Sequence, residues 1–443
     1  MGGHEMTEST LKPRQVAYAA MAGTAFETYE YFLYGFVAAT VFGPIFFPAF
    51  HPWLGTLAAV SSHAVAFLVR PLGAVLFGRI GDRLGRRPAL ITSLTLMGAA
   101  TIGVGLLPTY AAIGVTAPIL LVVLRLVQGL SVGGEIPGAV LVGVEYAPPN
   151  RRNFFGAFAY IGVTVGFLIV SVSLLLVTTV VGAETFQSWG WRIPFLFSAV
   201  LLVFGLVLRT RLAETPEFVA AESRIRRERA AGRLRTLFRG WGRPLLGAIL
   251  IWIGPSTFFY AFLTSLLAYT KNFVPELRTT TVQWALLLTA IALTVIATVA
   301  AYYGDRANRI RMIIIAGIWW TLWAAPSYLL VETGSAPALF TAMLVGVVPQ
   351  AIVTGVAPAL TADLFPVEVR YLGLAVALTL SVLIGGLLPI PALALVGAAD
   401  GSVVPMIVVM LLAGIAVIVG AFMIRRLQAK PAAGQTPAGR PAR

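Results

Sequence analysis

The sequence of 443 residues contains no cysteine and only three histidines. Without cysteine the chain has neither disulfides nor thiolate chemistry. His4, His51 and His63 are scattered, without the spacing of a metal site. No glycine-rich phosphate-binding loop is present, so nothing indicates ATP hydrolysis. We therefore expect no enzyme activity, no metal and no bound cofactor.

Charged residues are also scarce, at 11% of the chain, whereas soluble globular proteins usually carry about 25%. Hydrophobic residues make up 58%. They are gathered into runs of roughly 20 or more residues, each long enough to cross about 30 Å of hydrocarbon as a helix. The runs are continuously apolar, whereas the strands of a membrane barrel alternate. The composition predicts an all-α membrane protein.

The apolar runs predict twelve transmembrane helices, here called spans. Their expected positions are 16–41, 54–77, 89–107, 113–144, 154–180, 191–209, 245–269, 282–302, 312–331, 337–362, 371–396 and 403–424. An even number of spans places both termini on the same side of the membrane. The predicted parts are a segment at 1–15, a first half at 16–209, a basic linker at 210–244, a second half at 245–425 and a disordered tail at 426–443.

The net charge of +14 is carried mostly by the segments between spans. Because positive residues are retained on the cytoplasmic side, this distribution places both termini in the cytoplasm. It also favours contact with anionic membrane lipid over binding of nucleic acid. We expect a multi-pass protein of the cell inner membrane. No feature demands an oligomer, so a monomer is expected.

Two related loops indicate an internal repeat. The loop at 78–87 reads GRIGDRLGRR, and a weaker copy at 304–311 reads GDRANRIR. Asp82 and Asp305 are 223 positions apart, Gln128 and Gln350 are 222 apart, and the acids that follow spans four and ten are 218 apart. Such offsets indicate two six-span halves, the plan of a pseudo-symmetric carrier with its site between the halves.

Several motifs resemble those of the major facilitator superfamily. GDRLGRR at 81–87 is similar to its signature between spans two and three, and RLVQG at 125–129 to its motif in span four. A closer resemblance to the metabolite:proton symporters rests on GTAFETYEYFLYG at 23–35, RPLG at 70–73, QGLSVGGE at 128–135, WRIPF at 191–195 and DLFP at 363–366. It covers nearly the whole chain. In span one that family usually has tryptophan and aspartate where this chain has Thr28 and Glu30.

The resemblance implies a major facilitator fold that carries a small metabolite by alternating access, together with a proton. It also implies that Glu30 and Arg125 form the proton switch, because an acid and an arginine at these positions are thought to do so in related symporters. The proton would be the coupling ion.

Ionisable residues inside a membrane are costly, so each is a functional candidate. In the interior of its predicted spans the first half has five glutamates and arginines, whereas the second half has none there, which places proton coupling in the first half. The five are Glu27, Glu30, Arg70, Arg125 and Glu135. Their depths predict two pairs, Glu30 with Arg125 and Arg70 with Glu135. Glu27 is an alternative partner of Arg125. For each pair, a static structural ion pair is the alternative interpretation.

One helical face of span one carries four polar residues that we expect to line the cavity. If Arg125 leaves Glu30 to meet an anionic substrate, Glu30 can take up a proton. The predicted proton-coupling residues are Glu30, Glu27 and Arg125. The predicted substrate-binding residues are Arg125, Arg70, Glu135, Tyr31, Tyr34, Gln128, Trp252, Tyr260, Gln283 and Gln350, with Trp284 as a further candidate. For each candidate of the second half, a lipid-facing or core position is the alternative.

The charged loops are predicted to gate the cytoplasmic side. Asp82 can pair across its loop or cap a helix of the other half. Parallel clusters are Glu145 with Arg151 or Arg152, and Asp363 with Arg370. The predicted gate residues are Asp82, Arg83, Arg86, Arg87, Glu145, Arg151, Arg152, Asp305, Arg306, Asp363 and Arg370. A purely topological role is the alternative for these arginines.

Three functions remain open at this point. The first is proton-coupled uptake of a small carboxylate, favoured by two arginines, or of a zwitterion such as a betaine, which three nearby acids allow. The second is proton-coupled efflux of organic compounds. The third is a carrier-like sensor that binds its ligand without moving it, for which the basic linker and tail are the support.

Overall fold

The computed structural model describes residues 13–84, 86–131, 135–211 and 230–429. These residues form helices joined by short connections, and no strand occurs within these ranges. The predicted all-α architecture is confirmed. Residues 430–443 of the predicted tail and 212–229, about half of the predicted basic linker, lie outside the described residues.

Twelve helical passes follow one another in chain order. Spans 1 to 6 are Pro13–Val37, Pro52–Leu84, Arg86–Leu106, Thr116–Ser131 with Glu135–Glu145, Arg152–Val181, and Arg192–Arg211. Spans 7 to 12 are Ala230–Thr257 with Ser265–Phe273, Thr279–Gly304, Arg309–Glu332, Ala336–Ala362, Val367–Leu387 with Pro389–Ala398, and Val404–Ala429. Short helical segments are Ala38–Phe42, Gly43–Phe46, Tyr110–Ile113, Ala183–Thr185, Phe186–Gly190 and Phe258–Thr264. The twelve predicted spans are confirmed.

Hydropathy alone finds fewer passes than the structure contains. In the described ranges, nine helices are long and apolar enough to cross a membrane, or ten if the bent pair Ala183–Gly190 and Arg192–Val207 forms one pass. The two remaining passes are spans 1 and 3. Span 1 is less apolar because Glu27 and Glu30 lie within it, and both are buried inside the protein. The two glutamates that lower the mean hydropathy of span 1 therefore face the interior of the protein and not the lipid.

The two halves are assembled in the same way. In the first half, span 1 packs on span 5, span 2 on span 4, and span 3 on span 6. In the second half, span 7 packs on span 11, span 8 on span 10, and span 9 on span 12. The halves meet where span 5 contacts span 8 and span 2 contacts span 11. The internal repeat found in the loop sequences therefore also appears in the packing of the spans.

A wide helical turn interrupts the first span of each half. The π-helix Ala38–Phe42 continues span 1, and the π-helix Phe258–Thr264 divides span 7. The two begin 220 positions apart, close to the offset of the sequence repeat. π-Helical turns are rare and frequently occur at functional sites. In span 7 this turn carries Tyr260 and Thr264, which are buried.

Close packing of spans 2 and 4 depends on glycine. A Cβ atom at Gly129 would overlap the carbonyl oxygen of Ala66, and one at Gly73 would overlap the carbonyl oxygen of Leu130. Only a hydrogen side chain lets the two backbones approach this closely. The contact holds Arg70 of span 2 and Arg125 of span 4 on neighbouring helices.

With twelve passes, both ends of the described chain lie at one end of the bundle, here called the terminal end. The connections between spans 4 and 5, 8 and 9, and 10 and 11 also lie there. The other end is called the opposite end. The central site described next lies between them.

Candidate functional site

A polar cluster lies in the middle of the first half. Arg125 of span 4 is fully buried, and Glu30 of span 1 is 3% exposed. Glu27 and Gln128 are buried beside them in the same two spans. Charged groups are rarely buried unless other polar groups hold them. These four side chains therefore need polar partners inside the protein.

A chain of three hydrogen bonds joins Arg125 to Glu30. Nη1 of Arg125 donates to Oε1 of Gln128. Nε2 of Gln128 donates to Oγ1 of Thr101, over 2.8 Å. Oγ1 of Thr101 lies 2.8 Å from Oε2 of Glu30 and can donate to it. The structure thus connects the expected pair through Gln128 and Thr101, instead of by direct contact between the two charges.

Arg125 has donor capacity that this chain does not use. Its guanidinium carbon lies 3.2 Å from the centre of the Tyr34 ring. Its Nε and Nη2 atoms are buried and have no hydrogen-bond partner among the described residues. Leaving donors of a buried cation unpaired costs free energy. The unpaired side of Arg125 is therefore suited to an anionic group.

Aromatic rings from both halves surround this cluster. The ring centres of Tyr31 and Phe67 lie 5.7 Å and 4.9 Å from that of Tyr260, which belongs to the π-helix of span 7. The guanidinium carbon of Arg70 lies 5.4 Å from the centre of the Tyr31 ring. The structure thus brings Tyr31, Tyr34 and Tyr260 together with both arginines, and their role in binding a substrate stays a prediction.

His63 is a member of this cluster that the sequence did not single out. Its ring stacks on Tyr34 at 5.5 Å and lies 4.4 Å from Tyr31, measured between ring centres. The residue is buried, and neither ring nitrogen finds a hydrogen-bond partner in the part of the chain that the structure describes. Sequence reasoning tested the histidines for metal spacing only. An i, i+7 relation between His63 and Arg70 on span 2 could have identified it.

The neutral side chains predicted for the second half divide into buried and exposed ones. Gln350 is fully buried, and its amide atoms have no partner among the residues described. Trp252 donates from Nε1 to Oγ1 of Thr361 over 3.2 Å and stacks on Tyr160 of the first half at 4.3 Å. Both therefore lie inside the protein. Trp284 is 49% exposed, which agrees with the lipid-facing alternative named for it.

Gln283 contacts the other half near the opposite end. Its Nε2 atom donates to Oγ1 of Thr178 in span 5 over 3.0 Å. Nearby, Nζ of Lys271 donates to the carbonyl oxygen of Thr40. Gln283 therefore joins the halves at their rim, and is not a lining residue of the centre.

Trp53 forms a second contact between the halves at the opposite end. Trp53 packs edge-on against Phe273, with ring centres 4.8 Å apart. It also lies so close to Gly397 that a Cβ atom there would overlap the indole. Because Trp53 belongs to span 2, and Phe273 and Gly397 to the second half, these contacts join the halves.

Asp305 holds the halves together at the terminal end. Its carboxylate accepts hydrogen bonds from the backbone N–H groups of Asn153, at 2.7 Å, and Phe154, at 3.1 Å. These N–H groups belong to the first turn of span 5, where a carboxylate is favourable. Nδ2 of Asn153 also donates to the carbonyl oxygens of Ala301 and Gly355. An acid of the second half thus caps a helix of the first.

Asp363 forms the second contact across the terminal end. Its carboxylate lies 3.4 Å from Nη2 of Arg152 and 3.2 Å from Nη1 of Arg309. The expected pair with Arg370 is corrected, because Nε of Arg370 donates to the carbonyl oxygen of Phe365 instead. Its position five residues after that carbonyl allows this local bond.

The remaining predicted gate and site residues are placed as follows. The guanidinium of Arg306 lies 5.2 Å from the centre of the Tyr302 ring. Arg151 and Glu145 are exposed at the terminal end. Side chains outside the described part of the chain are those of Asp82, Arg83, Arg86, Arg87 and Glu135. The predicted pair of Arg70 with Glu135 therefore stays a prediction.

Comparisons with known proteins agree with this architecture. The family described as sugar (and other) transporter matches residues 16–244. The inner membrane metabolite transport protein YhjE of Escherichia coli is 35% identical over 375 residues, which cover 84% of this chain and 85% of that protein. A proline/betaine transporter of Salmonella typhimurium is 34% identical over 436 residues, covering 96% and 86%. Among solved structures, the xylose transporter XylE of E. coli in a partially occluded inward-open conformation has a TM-score of 0.71 at 17% identity, covering 96% of this chain and 99% of that one.

Proposed function

The chain belongs to the sugar (and other) transporter family of the major facilitator superfamily, and we propose that it takes up a small carboxylate or zwitterion together with a proton. As a transporter of this family, it is not an enzyme. The direction of transport, the coupling ion and the substrate class are the proposed parts. Location in the inner membrane, with both termini in the cytoplasm and as a monomer, belongs to the same proposal and rests on the arginine-rich loops.

One observation supports the proposal above all others. A fully buried arginine has two nitrogen donors without a hydrogen-bond partner among the described residues, and a chain of hydrogen bonds connects it to a buried glutamate. The arginine can bind an anion, and the glutamate can bind a proton. Because Gln128 and Thr101 connect them, occupation of one position affects the other. Such a connection is what coupled transport requires.

The surroundings favour a substrate with a carboxylate. Nε and Nη2 of Arg125 can hold two carboxylate oxygens side by side, which is the strongest geometry of such pairs. The rings of Tyr31, Phe67 and Tyr260 offer faces to a compact apolar or ammonium group. His63 adds ring nitrogens for a further polar contact. The relative named as a proline/betaine transporter supports the zwitterionic form of this proposal.

Alternating access follows from contacts at both ends of the bundle. Asp305 and Asp363 join the halves at the terminal end, whereas Trp53 and Gln283 join them at the opposite end. We propose that one set separates while the other stays closed, so that the central site faces one side at a time. Hydrogen bonds and exposed ion pairs are individually weak, and weak contacts suit a gate that must open.

Reconstituted vesicles test the proposal. An inside-alkaline pH gradient should drive accumulation of glycine betaine, L-proline or a simple carboxylate such as pyruvate, and a protonophore should abolish it. Release of the same compounds under this gradient would instead favour efflux antiport. Binding without flux would favour the sensor, whose support, the linker and tail, lies mainly outside the described residues.

A further inference from the structure

Thr101 of span 3 lies at the centre of the hydrogen-bond chain, and it is 1% exposed. Its Oγ1 atom has three polar neighbours. These are Oε2 of Glu30 at 2.8 Å, Nε2 of Gln128 at 2.8 Å and the carbonyl oxygen of Met97 at 3.0 Å. Two of the three are acceptors and one is a donor. A hydroxyl group has only one hydrogen to give, so it can donate to only one of the two acceptors at a time.

The choice depends on the charge of Glu30. When Glu30 is ionised, the hydrogen of Thr101 points to the carboxylate, because a bond to an ionised acceptor is stronger than a bond to a backbone carbonyl. When Glu30 is neutral, its own O–H group can donate to Oγ1. The hydroxyl then turns its hydrogen to the carbonyl of Met97. The bond between Glu30 and Thr101 is kept in both arrangements but reverses its direction, and the neutral arrangement adds a bond from Thr101 to the carbonyl oxygen of Met97.

We propose that Thr101 is a positioning residue that reports the protonation of Glu30 to Arg125, on the premise that Glu30 carries the proton as proposed above. The hydroxyl oxygen accepts one hydrogen bond in the ionised state, from Gln128, and two in the neutral state, from Gln128 and Glu30. Protonation of Glu30 therefore weakens the hydrogen bond that Thr101 accepts from Gln128.

Protonation also changes the surroundings of Arg125. Arg125 donates a hydrogen bond to the amide oxygen of Gln128 and lies over the ring of Tyr34, and both of these groups are neutral. The negative charge at the far end of the chain is removed when Glu30 takes up a proton. Among the described residues, the other ionisable groups that act on Glu30 are Glu27 and Tyr29 of its own helix, besides Arg125. The unpaired donors of Arg125 then favour an incoming carboxylate more strongly, so proton binding prepares the substrate site.

Infrared difference spectroscopy of the full-length protein in lipid nanodiscs tests this step directly. A neutral carboxyl group gives a C=O stretching band whose position depends on its hydrogen bonds. Glu30→Gln should remove the band and so assign it. Thr101→Val keeps the shape of the side chain and lacks the hydroxyl. It should move the band to higher wavenumber, and Thr101→Ser should restore the original position.

Thr95→Val is the matched control. Thr95 lies on the same span, is exposed, and donates to the carbonyl oxygen of Ile91 within its own helix. This variant should leave the Glu30 band unchanged. If Thr101→Val destabilises the protein, Thr101→Ala provides a second hydroxyl-free variant, and thermal unfolding identifies the usable one.

Two results would overturn the proposal in distinguishable ways. A Glu30 band that titrates with pH but stays in place in Thr101→Val and Thr101→Ala would reject the role of Thr101 and leave the proposed function standing. A protein with no titrating band that Glu30→Gln removes would reject both, because Glu30 would then not carry the proton.

Discussion

The two halves share one packing plan but differ in the chemistry of their centres. The first half buries Glu27, Glu30 and Arg125 in its middle. The apolar ranges of the second half, 245–269, 282–302, 312–331, 337–362, 371–396 and 403–424, contain no Asp, Glu, Lys, Arg or His. This half presents Tyr260 and Gln350 instead. Charges confined to one half keep their partners when the halves move against each other. The second half can then change what surrounds the charges without breaking the chain that connects them.

The largest effect is expected for the arginine of the first half. Arg125→Ala removes two charge-assisted hydrogen bonds to a substrate carboxylate, each worth about 1.5–3 kcal/mol. Affinity measured by isothermal titration should fall by roughly 100-fold or more. Arg278→Ala removes an exposed arginine at the opposite end and should bind normally. Normal affinity in Arg125→Ala would show that the anion binds elsewhere.

Loss of the acid should separate coupling from transport. In Glu30→Gln the glutamine can still accept a hydrogen bond from Thr101 but cannot bind or release a proton. Accumulation driven by a pH gradient should fall to equilibration, whereas exchange of labelled for unlabelled substrate should continue. Glu184→Gln, at an exposed acid, is the control. Continued accumulation in Glu30→Gln would place coupling elsewhere, Glu27 being the first candidate.

The equivalent glutamines of the two halves offer the sharpest comparison. Gln128→Leu breaks the bridge between Arg125 and Thr101, so the number of protons carried per substrate should fall. Gln350→Leu removes an amide that has no partner among the described residues and should change KM by about a few-fold with unchanged coupling. Equal loss of coupling in both variants would refute the division of labour between halves.

The smallest effects are expected at the terminal end. Asp305→Asn weakens a helix cap, typically worth about 0.5–2 kcal/mol. Asp363→Asn weakens exposed ion pairs, typically worth about 0–1 kcal/mol. Opening of this end should therefore increase more in Asp305→Asn than in Asp363→Asn.

Because the chain has no cysteine, a single Ala359→Cys can report opening through its rate of maleimide labelling. Ala359 is buried against Gly156 of the first half. The exposed Ser335→Cys at the opposite end should label at a constant rate. If the ion pairs, and not the helix cap, held this end closed, Asp363→Asn would raise the labelling rate more than Asp305→Asn.

Ten of the spans were predictable as long apolar runs bounded by charged or turn residues, whereas spans 1 and 3 are less clear by hydropathy. The central position of Glu30 and Arg125 was predictable because ionised groups avoid lipid. Thr101 was not, since a threonine in a span is common and its role appears only when spans 1, 3 and 4 meet. The choice between the cavity and the lipid for Trp284 could not be made from the sequence, because span 8 is apolar on every side and its inner and outer faces look alike. The pairing of Asp363 with Arg152 depends on contact between residues 211 positions apart.

The paired wide turns of spans 1 and 7 carry a consequence for the ancestry of the chain. A π-turn holds one residue more than an α-turn, so each marks a single added amino acid. The two begin 220 positions apart, close to the offset of the sequence repeat. One insertion in a six-helix unit, made before that unit was duplicated, would place a wide turn at the same position of both halves.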